Sequence, residues 1–142
     1  VIERFLTAQD NPPEGCCSYE QALSEIKSGR KTGHWIWYVF PQVKGLGRSY
    51  NARYYALDGV EEARQFLNDE ELGGRLREIT EVVLEHRGID VEDLMNGEID
   101  AVKLRSSMTL FDIVSPNDIF AQVLEAFFDG NRCEHTLEIC GE

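Results

Sequence analysis

The chain has 142 residues, of which 42% are hydrophobic and 10% aromatic, and its formal net charge is −12. This length suits one compact domain spanning residues 1–142, and the apolar content excludes a wholly disordered chain. The negative charge argues against a protein that binds long DNA or RNA, because a phosphate backbone requires a broad basic surface.

The first quarter of the chain contains one clear helix signal. Residues 1–14 are interpreted as a leading segment that ends in an Asn-Pro-Pro turn. Ser18 and Gln21 have the spacing of a capping box, which predicts a helix that begins at Tyr19. Gly29 is expected to end this helix.

The next segment is the least periodic part of the sequence. Residues 33–42 are rich in aromatic and β-branched side chains, and they fit a strand and a short buried helix equally well. A loop with two glycines follows over residues 42–49. Ser49 is expected to cap a short helix that runs through Tyr55.

Helical patterns dominate the rest of the chain. The apolar spacing predicts helices over residues 61–67, from Asn68 or Asp69 to about His86, as a single turn at 91–95, from Glu98 or Asp100 onward, over 119–128, and near the C-terminus. The predicted fold class is therefore mainly α, a single compact helical domain with at most a small β element.

No apolar run approaches the length of a membrane span, and no secretory signal precedes the helices. The four cysteines are therefore expected to be free thiols in a cytoplasmic protein that has no membrane partner. Cys133, His135 and Cys140 lie close in sequence, but their spacing fits no standard zinc site. We predict no metal and no cofactor.

Charge is distributed unevenly along the chain. A first window, residues 26–57, contains no acidic residue but six basic ones and half of the aromatic residues. A second window, residues 101–111, contains Lys103 and Arg105 and again no acid. The windows together carry +8, so the remainder carries −20. This contrast indicates a local site for an anionic ligand within an acidic shell. The alternative is that buried segments simply lack acids.

The first window holds one group of candidate site residues. Glycines allow close backbone approach to an anion, tryptophan faces can stack on a base, and cations neutralise phosphate. The candidate ligand-binding residues are Lys31, Trp35, Trp37, Gln42, Gly45, Gly47, Arg48 and Ser49. His34 is a candidate acid or base. Neither a P-loop nor a dinucleotide fingerprint is present, and the alternative is a structural turn beside core tryptophans.

The second window and the residue before it hold the other group. On a helix, Asp100, Lys103 and Ser107 would share one polar stripe. A carboxylate beside a lysine can act as a base, as a nucleophile or as a stabiliser of an oxocarbenium ion, so Asp100 and Lys103 join His34 as candidate catalytic residues. The further candidate ligand-binding residues are Arg105, Ser106, Ser107 and Thr109. The alternative is an ordinary helix salt bridge.

Four segments resemble a known bacterial and plant family. They are residues 29–37 (GRKTGHWIW), 40–49 (FPQVKGLGRS), 72–76 (LGGRL) and 100–111 (DAVKLRSSMTLF). They resemble the domain of unknown function 1810 family, some members of which are labelled calpastatin. That label implies a disordered inhibitor, and the composition of this chain contradicts it.

The family is similar, more distantly, to the YbiA-like or NADAR superfamily, which is mainly helical and linked to NAD and ADP-ribose chemistry. This likeness implies an ADP-ribosyl or phosphoribosyl ligand and cleavage of an N-glycosidic bond. YbiA-like members have a glutamate on the helix after the first aromatic motif, whereas residues 27–57 of this chain contain no acid. Asp100 is therefore the carboxylate to which we assign any remaining activity.

The leading hypothesis is a small domain that binds an ADP-ribose-like or nucleotide-like phosphorylated ligand and is a candidate N-glycosidase. The alternative is a non-enzymatic protein-binding module that uses its acidic surface and whose partner is unknown. A third hypothesis gives the motifs a purely structural role. The ligand hypothesis requires residues 31–49 and 100–109 to meet around a shared cavity.

Overall fold

The computed structural model describes residues 2–142, and ten helices lie in that part of the chain. They are α1 (Glu3–Asp10), α2 (Tyr19–Lys27), α3 (Ile36–Val39), α4 (Tyr50–Tyr54), α5 (Val60–Asn68), α6 (Glu70–Glu85), α7 (Val91–Leu94), α8 (Glu98–Val114), α9 (Ile119–Phe128) and α10 (Glu134–Cys140). Between residues 2 and 142 the β pairing is confined to isolated bridges, one of which joins Val43 and Leu57. The predicted mainly α fold class is confirmed.

Side-chain caps fix the starts of the helices where the sequence predicted them. The Ser18 hydroxyl accepts a hydrogen bond from the Gln21 backbone N–H, and the Gln21 side chain accepts one from the Ser18 N–H, so the capping box is confirmed. Ser49 caps α4 through the Ala52 N–H. Asp69 caps α6 in the same way. Each cap satisfies a backbone donor that the first turn of a helix leaves without a partner.

The structure adds one helix that the sequence did not predict, and it settles whether a second segment is a helix or a strand. The leading segment contains a helix, α1, because Phe5 and Ala8 bury against the core and the buried Gln9 donates to the Tyr38 carbonyl at 2.8 Å. Residues 36–39 form the short buried helix α3 rather than a strand. The helix ends before Phe40, because Pro41 disfavours a helical conformation at the residue that precedes it.

Helix α8 is the centre of the packing. It contacts α5, α7, α9 and α10, and Leu104, Met108 and Phe111 are fully buried. The Phe111 ring lies 5.7 Å from both the Phe66 and the Phe120 rings, which joins α8 to α5 and α9. Because most of α8 is tightly packed, the exposed side chains in its N-terminal half are attached to a rigid backbone.

None of the helices between residues 2 and 142 combines the length and the apolar character that a bilayer crossing needs.

The corner between α5 and α6 provides a matched test of packing at two adjacent glycines. A Cβ atom at Gly73 would lie 1.9 Å from the Leu67 carbonyl oxygen, whereas at Gly74 it would meet nothing within 4 Å. We expect Gly73→Ala to lower the free energy of unfolding by about 1–3 kcal/mol through overpacking. Gly74→Ala should raise it by about 0.5–1 kcal/mol through helix propensity. Urea denaturation measures the free energy of unfolding of both variants, and equal effects would contradict the close approach of Gly73 to the Leu67 carbonyl.

Candidate functional site

The turn after α2 is folded around a single carboxylate. One oxygen of Glu25 accepts hydrogen bonds from the Thr32 N–H at 2.8 Å, the Gly33 N–H at 2.9 Å and the Trp35 indole N–H at 2.8 Å. Burial acts to raise the pKa of Glu25, but these three donors outweigh burial and hold its pKa below the ordinary value. The carboxylate therefore fixes the path of residues 31–35.

Lys31 lies inside the protein rather than on its surface. The residue is 4% exposed, and its ammonium donates to the Gly33 carbonyl at 2.6 Å and pairs with Asp100 at 2.7 Å. The ammonium also lies 5.0 Å from the centre of the Trp35 ring. Since these contacts satisfy its charge, Lys31 connects the first window to the first turn of α8.

Lys103 extends this arrangement by one helical turn. Its ammonium is 4.0 Å from the second Asp100 oxygen and 5.5 Å from the centre of the Trp37 ring. Lys31, Asp100 and Lys103 therefore form a charged network, with a tryptophan beside each lysine. The predicted helix salt bridge exists, but the shorter contact of Asp100 is with Lys31.

A cavity of about 700 Å³ lies where the two windows meet. Its walls come from the loop before α4, from one face of α8 and from the segment before and at the start of α10. The lining residues are Gln42, Leu46, Gly47, Glu98, Ile99, Val102, Lys103, Arg105, Ser106, Asn131, Arg132, Cys133, Glu134 and His135. The lining as a whole contains three cations and two carboxylates, so its formal charge is +1, in contrast to −12 for the chain.

Hydroxyl groups of α8 hold in place the cavity wall that residues 131–135 form. The Ser106 and Thr136 hydroxyls are hydrogen-bonded at 2.9 Å, and both are buried. The Thr109 hydroxyl accepts from the Cys133 backbone N–H at 2.9 Å and donates to the Arg105 carbonyl at 2.8 Å. Segment 131–136 therefore runs antiparallel to α8. Ser106 and Thr109 make structural contacts with it, although Ser106 also reaches the cavity wall.

Two arginines bring positive charge to one part of the cavity. Arg132 forms an ion pair with Asp112, which is 5% exposed, and its Nε donates to that carboxylate at 3.0 Å. The Nε atom of Arg105 is buried and has no hydrogen-bond partner among the residues described. A buried donor without a partner is unusual in folded proteins, and because this nitrogen is closed off from the cavity, the other nitrogens of the guanidinium are the ones left to meet a ligand there.

The structure brings part of the predicted site together. Of the predicted site residues, those that line the cavity are Gln42, Gly47, Lys103, Arg105 and Ser106. Asp100 and Lys31 lie behind this wall, joined to it through Lys103. Trp37 is half-buried beside Lys103, and its indole nitrogen has no partner among residues 2–142.

The remaining predicted residues lie elsewhere. Trp35 is fully buried, with its ring 6.1 Å from that of Phe40, so the structure places it in the core rather than at a stacking surface. Outside the cavity lining, exposed positions are occupied by His34, Gly45, Arg48 and Ser49. Ser107 and Thr109 are buried within α8.

Sequence reasoning missed the wall formed by residues 131–135. Arg132 and His135 meet α8 only in the folded chain, so no local spacing indicated them. One signal was present, however, because Arg132 is the only basic residue after Arg105 in the sequence. An isolated arginine in an acidic stretch would have been a reasonable candidate for a buried ion pair or an anion contact.

Comparisons with known proteins place the chain among proteins whose role is not described. The family model described as "Protein of unknown function (DUF1810)" matches residues 1–140. The chain is also similar to a conserved hypothetical protein from Mycobacterium tuberculosis whose crystal structure is known. The two sequences are 36% identical, and the structures match with a TM-score of 0.91 over 99% of this chain and 96% of that one. No curated protein matches the chain.

The buried pair between Lys31 and Asp100 is expected to contribute strongly to stability. Lys31→Met leaves the Asp100 carboxylate without its closest partner, so the free energy of unfolding should fall by about 3 kcal/mol. Lys44→Met is the control, because Lys44 and Asp58 form an exposed pair at 4.0 Å and its loss should cost at most about 1 kcal/mol. Chemical denaturation compares the variants, and similar losses would show that burial adds nothing to the pair.

The Glu25 turn predicts a loss of stability in acid. Because the pKa of Glu25 is lower in the folded state than its ordinary value of 4.5, the stabilisation is complete above pH 4.5 and decreases as pH falls through the folded pKa. We expect Glu25→Gln to lower the free energy of unfolding by about 1–2 kcal/mol at pH 7 and to flatten its decrease in acid. Glu20→Gln, at an exposed position of α2, is the control. An unchanged acid profile in Glu25→Gln would contradict this role.

Proposed function

The chain belongs to the family described as protein of unknown function DUF1810, and we propose that its cavity binds a small, phosphorylated, nucleotide-like ligand. One observation carries this proposal: Arg105, a guanidinium donor, lines the same cavity as Lys103 and Arg132. A phosphate oxygen is the acceptor that suits such a donor, since a guanidinium binds phosphate through parallel hydrogen bonds.

The electrostatics of the cavity support the same class of ligand. Its lining holds three cations and two carboxylates, and although Asp100 and Asp112 pair with two of those cations, a small anion meets less repulsion here than elsewhere on an acidic protein. The volume of about 700 Å³ lies within the usual range for small-molecule sites. A concave site of this size suits a nucleotide and does not need the broad basic surface that long nucleic acids require.

The other predicted residues take supporting roles in this proposal. Lys31 and Asp100 keep Lys103 at the wall through the charged network. The ring of Trp37 provides a second contact for the Lys103 ammonium, which restricts where the charge points. Gln42 and Gly47 bring polar side-chain and backbone groups to the cavity from the loop before α4.

Hydrolysis of an N-glycosidic bond is a finer proposal, with Asp100 and Lys103 as its candidate catalytic residues, because His34 lies outside the cavity lining. The resemblance to the YbiA-like superfamily motivates this proposal. That resemblance itself stays a prediction. Asp100 follows Ile99 of the cavity wall and pairs with Lys103, which itself lines the cavity. Release of nicotinamide or a free base from candidate substrates, compared between wild type and Asp100→Asn, is the test. A turnover that is equal in both would remove Asp100 from this role.

Ligand binding is tested directly with ADP-ribose and AMP. We expect both compounds to raise the melting temperature at millimolar concentration, because a ligand that binds only the folded state stabilises it. Arg105→Met and Lys103→Met should weaken binding at least about tenfold, since each removes a charged donor worth roughly 1.5–3 kcal/mol. Isothermal titration calorimetry gives the dissociation constants.

Lys27→Met is the matched control for these charge substitutions. Lys27 is exposed on α2 and does not line the cavity, so its loss should leave the affinity unchanged. If neither compound shifts the melting temperature of the wild-type protein, the cavity proposal fails. The hypothesis of a protein-binding module that uses the acidic surface would then replace it.

A further inference from the structure

The cavity has two ends of different chemistry, and the geometry points to a ligand made of two matching parts. We infer that a phosphate lies between Arg105 and Arg132 and that an apolar ring lies against Leu46, Ile99 and Val102. This inference rests on the proposed function. It adds the orientation of the ligand and the residues that recognise its non-phosphate part.

Positions along α8 separate the two ends. With a rise of 1.5 Å per residue, Ile99 precedes Arg105 by about 9 Å along the helix axis. Ile99, Val102 and Ser106 follow one another at spacings of three and four residues, so they share a continuous face. The cavity therefore extends along this face from an apolar end to a cationic end.

The ion pair of Arg132 fixes the cationic end. Asp112 lies beyond Arg105 toward the C-terminus of α8, and it holds the guanidinium of Arg132 on that side of the cavity. Arg105 lines the cavity at the same end. Two guanidinium groups that reach one wall from different elements suit an anion with several oxygen atoms.

The antiparallel course of α10 relative to α8 places the loop that contains Gly45 and Leu46 at the apolar end of the cavity. Thr136 is bonded to Ser106, so Ile139 lies about one turn nearer to the N-terminus of α8. A Cβ atom at Gly45 would lie 3.4 Å from the Cδ1 of Ile139, which places that part of the loop beside the same region. Leu46 follows Gly45 and lines the cavity there.

The apolar end carries exposed side chains that suit a ring. Ile99 is 73% exposed and Val102 is 46% exposed, although α8 is otherwise the most buried helix of the core. Isolated exposed apolar residues need no explanation, but these two line the same cavity as Leu46 and the two arginines. Glu98 lies beside them and would accept a hydrogen bond from an amino group on the ring.

A series of four probes separates the two parts of the ligand. Inorganic phosphate, ribose 5-phosphate, phenyl phosphate and AMP are titrated into the wild-type protein by calorimetry. We expect phenyl phosphate and AMP to bind at least about tenfold more tightly than ribose 5-phosphate, because only they carry a ring that removes Ile99 and Val102 from water. Arg105→Met should weaken all four probes.

Variants at the apolar end then test which residues recognise the ring. Ile99→Ser combined with Val102→Ser should reduce the advantage of phenyl phosphate and AMP to less than about threefold, with ribose 5-phosphate binding unchanged. Ile89→Ser is the control, because Ile89 is also exposed but lies outside the cavity. Circular dichroism confirms that the variants fold, which the exposure of the substituted side chains favours.

The outcomes distinguish this inference from the proposal on which it rests. If all four probes bind equally well to the wild type, or if Ile89→Ser reduces ring selectivity as much as the double variant does, the two-part ligand is wrong and the phosphate site stands. If no probe binds, both proposals fail. Ring selectivity that disappears only in the double variant supports the inference.

Discussion

The ion pair between Lys31 and Asp100 is the contact that relates the two halves of the candidate site. It joins a turn built around Glu25 to the first turn of the central helix α8. A lysine that is 4% exposed needs a partner, because desolvation of an ammonium is costly. Asp100 is suited to be that partner, since the N-terminus of a helix also favours a negative charge. The position of Lys103 follows from this pair, one turn further along α8.

Local signals in the sequence were sufficient for much of the fold. Ser18, Ser49 and Asp69 are caps whose chemistry acts within four residues, so the helices after them were predictable. Helix α1 was not predicted, because what stabilises it is the burial of Phe5 and a bond from Gln9 to a residue 29 positions away. The conformation of residues 36–39 was likewise decided by packing, since aromatic and β-branched residues suit a buried helix as well as a strand.

Burial accounts for part of both acid-free windows. In the first window, Trp35 and Lys31 are buried, and an added carboxylate there would be desolvated. In the second, residues 106–111 are buried within α8, whereas Lys103 and Arg105 line the cavity. The composition was therefore informative, but it could not separate burial from ligand contact. It also could not indicate the wall at 131–135, which approaches α8 only through tertiary hydrogen bonds.

The attachment of segment 131–136 divides its residues into two sets. Three of them anchor the segment to α8 through their hydrogen bonds: Arg132, Cys133 and Thr136. The others that line the cavity, Asn131, Glu134 and His135, are exposed. Such a segment can exchange its outward side chains without losing its place on the helix. The chemistry of this cavity wall is thus free to diverge at positions whose substitution leaves the fold intact.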